Sequence, residues 1–103
     1  MVSFNLSPDE KKFTATFKGR LDTLAIQKMS EIIQLNLPVT DEGSGMNIIF
    51  DLKDVDYISS SFIRICVNVA KQAGPGRFSI LHCQPFILKT FQLSGLDEIL
   101  KVS

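Results

Sequence analysis

Apolar residues along this chain switch between two spacings, and each switch marks a change of element. Val2 to Leu6 is a short strand candidate. Ser7-Pro8-Asp9-Glu10 has turn chemistry, and Lys12 to Phe17 returns with alternating Phe13, Ala15 and Phe17. These two segments predict an antiparallel hairpin with one buried face, broken at Gly19. Helical spacing follows in Ile26, Met29, Ile32, Ile33 and Leu37, over a helix that Asp22 or Thr23 can cap and that runs to about Asn36. Pro38 ends it, and Val39 to Gly45 reads as a polar, mobile loop. Asn47 to Leu52 is an apolar strand of the kind found in parallel sheets.

The sharpest amphipathic pattern runs from Ser60 to Ala73. Phe62, Ile63, Ile65, Cys66, Val67, Val69, Ala70 and Ala73 fall on one arc, against Ser60, Ser61, Arg64, Asn68, Lys71 and Gln72 on the other. Gly74-Pro75-Gly76 terminates it. Phe78 to Leu81 predicts a strand, and Pro85 opens a helix carrying Phe86, Ile87 and Phe91. Gly95 sits at a left-handed C-terminal cap position, with Leu96 as its apolar contact, and Ile99 to Val102 reads as a closing strand. The order β-β-α-β-α-β-α-β predicts a single α/β domain over 1–103, with a mixed five-stranded sheet. Right-handed crossovers between neighbouring parallel strands put the helices on one face.

Composition narrows the function classes. With 11 basic and 11 acidic residues the formal net charge is zero, which argues against a general nucleic-acid binder or a polybasic membrane anchor. No apolar run approaches the ~20 residues of a membrane span. Charged and polar residues appear within the first dozen positions, so no signal peptide is expected and the expected location is cytoplasmic. Cys66 and Cys83 lack C-x-x-C spacing and read as reduced core thiols.

Catalytic equipment is sparse. His82 is the sole histidine, and the serines do not form a G-x-S-x-G elbow. There is no Walker motif and no G-x-G-x-x-G. Asp54 and Asp56 read as an acidic turn with too few ligands for a metal. The expectation is therefore no catalytic residues, no metal and no cofactor. What stands out is Ser59-Ser60-Ser61 at a predicted helix start. Serine there can cap the free N–H groups of the first turn, and the same groups and the helix dipole favour a phosphate. Ser59 or Ser60 can be the cap. Arg64 lies four residues after Ser60, about 40° around the helix, where it can meet a phosphate, bind a partner or stand in solvent.

Several short motifs resemble the STAS domain, the fold of bacterial anti-sigma factor antagonists. Gly19-Arg20-Leu21-Asp22 resembles the family's G-x-L-D before its first helix. Asp51-Leu52-x-x-Val55-x-Tyr57-Ile58, followed by Ser59-Ser60, resembles its strand-turn-serine signature. Leu93-Ser94-Gly95-Leu96 and Ile99 resemble its L-x-G-L…I ending. The resemblance implies a non-enzymatic regulator of transcription that works by partner switching. A partner that is both serine kinase and anti-sigma factor modifies a serine at the start of the second helix, and a phosphatase resets it. The matching position is Ser60, with Ser59 and Ser61 as alternatives. Asp22, Ser59, Ser60, Ser61, Phe62 and Arg64 form the expected partner surface. Ser59 stands where some members have Asp, and Phe62 stands where Gly is common. Phe62 is therefore expected to be a docking residue or a shield over Ser60. The alternative reading is a non-switching accessory STAS subunit of a stress-signalling complex or a membrane transporter.

Overall fold

In a computed structural model the chain is described over residues 1–37 and 46–103. The expected loop from Val39 to Gly45 lies outside the described residues. The elements run β1 (Val2–Ser7), β2 (Lys12–Leu21), α1 (Thr23–Asn36), β3 (Asn47–Ile58), α2 (Ser60–Ala73), β4 (Phe78–Leu81) and α3 (Pro85–Leu93). The sheet order is β1-β2-β3-β4. β1 and β2 form the antiparallel hairpin, while β2–β3 and β3–β4 are parallel. Stepping twice in one direction across the sheet puts α1 and α2 on the same face by right-handed crossover.

That covered face holds the core. Phe13, Ala15 and Phe17 of β2, Ile48, Phe50 and Leu52 of β3, and Phe78 and Ile80 of β4 are all buried. They meet Ile26, Met29 and Ile33 of α1, Phe62, Cys66 and Val69 of α2, and Ile87 and Phe91 of α3. Phenylalanine rings meet at its centre. Phe17 meets Phe50 edge-on at 4.9 Å, and Phe50 meets Phe78 edge-on at 5.0 Å. Ile49, between Ile48 and Phe50, is only half-buried, so β3 is sealed on one face rather than two.

Two expectations about strands are corrected. β3 does not stop at Leu52 for an acidic turn; it continues to Ile58, with Asp54 and Asp56 exposed along it. Thr16 pairs with Asp51 and Lys18 with Asp54, then Gly19 with Val55 and Arg20 with Tyr57. Each step leaves one extra residue on β3, the mark of a bulge. Buried positions therefore run Leu52, Val55, Ile58, and the alternation that identifies a strand is lost. Gly19 does not break β2 but lies inside it, at φ +89, in this same irregular stretch.

The predicted fifth strand is the other correction, so among the described residues the sheet has four strands and not five. Residues 97–101 form turns, with Leu100 N–H donating to the Leu96 carbonyl at 2.9 Å and Val102 N–H to the Asp97 carbonyl at 2.9 Å. Those donors are spent locally. Only Val102 makes a parallel bridge, to Ile80, and Ser103 N–H donates to the Ile80 carbonyl at 2.9 Å. The Gly95 cap forms as expected. At φ +74, it lets Leu96 N–H reach the Phe91 carbonyl at 3.1 Å while its own N–H reaches Gln92 at 3.1 Å, the two bonds of a Schellman motif.

Candidate functional site

The parallel strands β2 and β3 end side by side, so the N-termini of α1 and α2 emerge together. Ser59 N–H donates to the Leu21 carbonyl at 3.0 Å and ties the two ends. Asp22 caps α1, accepting from Ala25 N–H at 2.9 Å. Ser59 caps α2, its hydroxyl accepting from Phe62 N–H at 3.4 Å. Both positive helix ends therefore open at one edge of the molecule.

This resolves the roles of the serines. Ser59 is buried, at 7% exposure, and occupied as the cap. Ser60 is the first helical residue and is exposed. Ser61 is half-buried. Arg64 is exposed one turn along and makes no ion pair among the described residues. Losing the Ser59 cap costs helix stability, whereas the Ser60 side chain faces solvent. Ser59→Ala is expected to lower unfolding stability by about 1 kcal/mol and Ser60→Ala by less than about 0.5 kcal/mol. Urea denaturation of the two variants distinguishes them, and equal losses would contradict the capping assignment.

Phe62 is not at this surface. Its ring is fully buried, edge-on to Phe17 at 5.1 Å and 6.1 Å from Phe50. A side chain with no exposed surface neither docks a partner nor covers Ser60, so the expected partner contact through Phe62 is replaced by core packing.

Arg20 and Tyr57 were absent from the expected partner surface, yet they stand beside Asp22. The Arg20 guanidinium lies 4.0 Å over the Tyr57 ring, and its Nε is 3.5 Å from Asp22 Oδ2. Arg20 and Tyr57 are register partners on β2 and β3. Within the sequence they are 37 positions apart, and only strand pairing joins them. Arg20 thus holds the second carboxylate oxygen of Asp22 while the first caps α1.

The remaining polar candidates lie elsewhere. His82 Nδ1 is 3.2 Å from Asp51 Oδ1, which also accepts from Lys53 N–H at 3.0 Å. Asp51 lies between the buried Phe50 and Leu52, hence on the opposite face of β3. Both cysteines are free thiols. Burial pushes the Cys66 thiol well up, and burial with the nearby Asp51 charge raises Cys83 to about 11. Both thiols are thus protonated at neutral pH and weak as nucleophiles. Among the described residues no group of three or more His, Cys, Asp or Glu is placed to hold a metal ion. No described helix is long and apolar enough to cross a membrane.

The domain is thus a mixed α/β sheet with helices on one face and two capped helix ends side by side next to the exposed Ser60. The family model of the STAS domain matches residues 16–103, and the chain belongs to that family. The solved structure of the anti-sigma factor antagonist SpoIIAA in its unphosphorylated form is similar in fold. It superposes with a TM-score of 0.60 at 15% sequence identity, over 96% of this chain and 97% of that one. A search of curated proteins finds no significant match.

Proposed function

We propose that this protein is an anti-sigma factor antagonist that regulates transcription by partner switching, controlled by phosphorylation of Ser60. The observation that carries this is the division of labour at the α2 start. Ser59 is buried as the cap, which leaves Ser60 exposed over the same first-turn N–H groups. A kinase can reach that hydroxyl without unfolding the helix, and the helix end favours the dianion that results. The protein is then a substrate and a binding module, not an enzyme, and has no direct part in nucleic-acid binding. Its partners are a cytoplasmic anti-sigma factor with serine kinase activity and a phosphatase that resets it. Asp22, Ser60, Ser61 and Arg64 supply the partner surface, with Arg20 and Tyr57 beside them. The alternative is a non-switching accessory STAS subunit of a stress-signalling complex or a membrane transporter; the burial of Phe62, which leaves Ser60 uncovered by that ring, favours the switching reading over it.

The test is capture of the partner, incubation with it and ATP, and phosphopeptide mapping. Modification is expected at Ser60. Modification confined to Ser59 or Ser61, or none at all, overturns the assignment.

We infer that Arg64 stabilises the modified state. It lies one turn beyond Ser60 on the same stripe, and guanidinium groups bind phosphate bidentately. A nearby cation favours the dianion and so lowers the second phosphate pKa. In ³¹P titrations the phosphorylated wild type is expected to have a lower pKa than phosphorylated Arg64→Ala. Superimposable curves would leave Arg64 as a solvated surface charge.

A further inference from the structure

We propose that the outer face of α1 is a self-association surface, where a second copy of this chain docks antiparallel across a two-fold axis. The helix buries Ile26, Met29 and Ile33 against the sheet. On the opposite side lie Leu24, Lys28, Glu31 and Leu35, all exposed. Leu24 and Leu35 are 62% and 77% exposed, among the largest apolar exposures of the molecule. At 100° per residue these four positions fall within an arc of about 60°. Their spacing of four, three and four residues is that of a coiled-coil seam.

The occupant is read from the chemistry of that seam. Leucine, lysine, glutamate, leucine is complementary to itself when reversed. About a two-fold axis midway between Lys28 and Glu31, Leu24 faces the partner's Leu35 and Lys28 faces the partner's Glu31. Each contact occurs twice, as an isologous interface requires. A parallel, in-register arrangement would set Lys28 against its own copy and Glu31 against its own, which repels. Neither Lys28 nor Glu31 makes an ion pair within the chain among the described residues, so both charges face outward. Ile32, 47% exposed, flanks the seam and extends its apolar area.

A 14-residue helix is only about 21 Å long. The contact is therefore small, in the range of weak and transient interfaces below about 1,200 Å². The chain is accordingly monomeric at about 10 μM and dimeric at about 1 mM. This proposal is independent of any phosphorylation at Ser60.

Sedimentation equilibrium of the full chain across that concentration range tests it. Lys28→Glu places two glutamates against two, and Glu31→Lys places two lysines against two. Each variant alone is expected to stay monomeric at concentrations where the wild type dimerises. An equimolar mixture of the two is expected to recover association to the wild-type level, because each supplies the charges the other lacks. Leu24→Ser with Leu35→Ser is expected to abolish association without changing any charge. The substituted positions are solvent-exposed, and unchanged circular dichroism establishes that the variants are folded. A wild type that remains monomeric up to about 1 mM overturns the proposal. So does a dimer that either charge reversal leaves intact, or a mixture that fails to associate.

Discussion

Phe62→Ala is expected to destabilise the protein by about 3–5 kcal/mol, the usual cost of removing a buried phenylalanine. The ring is fully buried and lies edge-on to Phe17 at 5.1 Å, beneath the first turn of α2. Its removal takes away both transfer free energy and dispersion contacts, and the neighbours are rings that cannot collapse freely into the space. A domain of this size has total stability of only about 5–15 kcal/mol. The loss is thus a large share of the whole, and the melting temperature is expected to fall by more than about 10 °C. Thermal and urea denaturation measure it. Phe62→Leu, which retains much of the volume, is expected to lose clearly less. A loss below about 1 kcal/mol for Phe62→Ala would mean that the ring is not packed between Phe17 and Phe50. The comparison with Ser59→Ala separates a core contribution from a cap contribution at the same helix start.

If the proposed partner switching operates, phosphorylation of Ser60 is expected to weaken binding of the proposed anti-sigma partner by about 100-fold or more while leaving the fold intact. The modified serine carries about −1.5 to −2 charges. Within the free protein this charge meets the α2 N-terminus, a favourable interaction of about 0.3–1 kcal/mol at an exposed site. Within a complex that covers Ser60, the same dianion must lose water and meet a surface matched to a neutral hydroxyl. Unpaired or like-charge contacts of that kind cost several kcal/mol, and about 2.8 kcal/mol corresponds to 100-fold. Calorimetric titration of the captured partner with modified and unmodified protein reads the ratio, alongside their melting temperatures. Ser60→Ala is expected to bind as the unmodified wild type and to resist the kinase. Equal affinities for the two forms would remove the switch, even if Ser60 proved to be modified.

Elements whose signals are local were legible in the sequence. The bounds of α2, Ser60 to Ala73, follow from a capping serine, a clean apolar arc and a Gly-Pro-Gly stop, and they are the bounds observed. A cap at Asp22 or Thr23, which the structure assigns to Asp22, and Gly95 as a left-handed C-cap rest on the same kind of chemistry. The serine cluster at a helix start was visible for this reason. Which serine caps the helix was not. Ser59 and Ser60 have the same chemistry, and the choice depends on the extended backbone that β3 imposes at Ser59, φ −103 and ψ 167.

The tertiary structure decided whatever depends on pairing and depth. The half of β3 beyond Leu52 was illegible because two bulges replace alternation with a spacing of three, which only the register with β2 explains. The closing strand shrank to one bridge because turn hydrogen bonds claimed its donors first. Arg20 meets Tyr57 and Asp22 through strand pairing across 37 positions of sequence. Helical angle assigned Phe62 to the apolar arc, but the angle carries no measure of depth. The rings of Phe17 and Phe50 placed it in the core, beneath the serines rather than among them. Local chemistry along the chain therefore determined where helices begin and end and that a serine lies at one of those ends. Packing between distant segments determined which serine is exposed and which neighbours surround it, because burial and register are properties of contacts that the linear order does not contain.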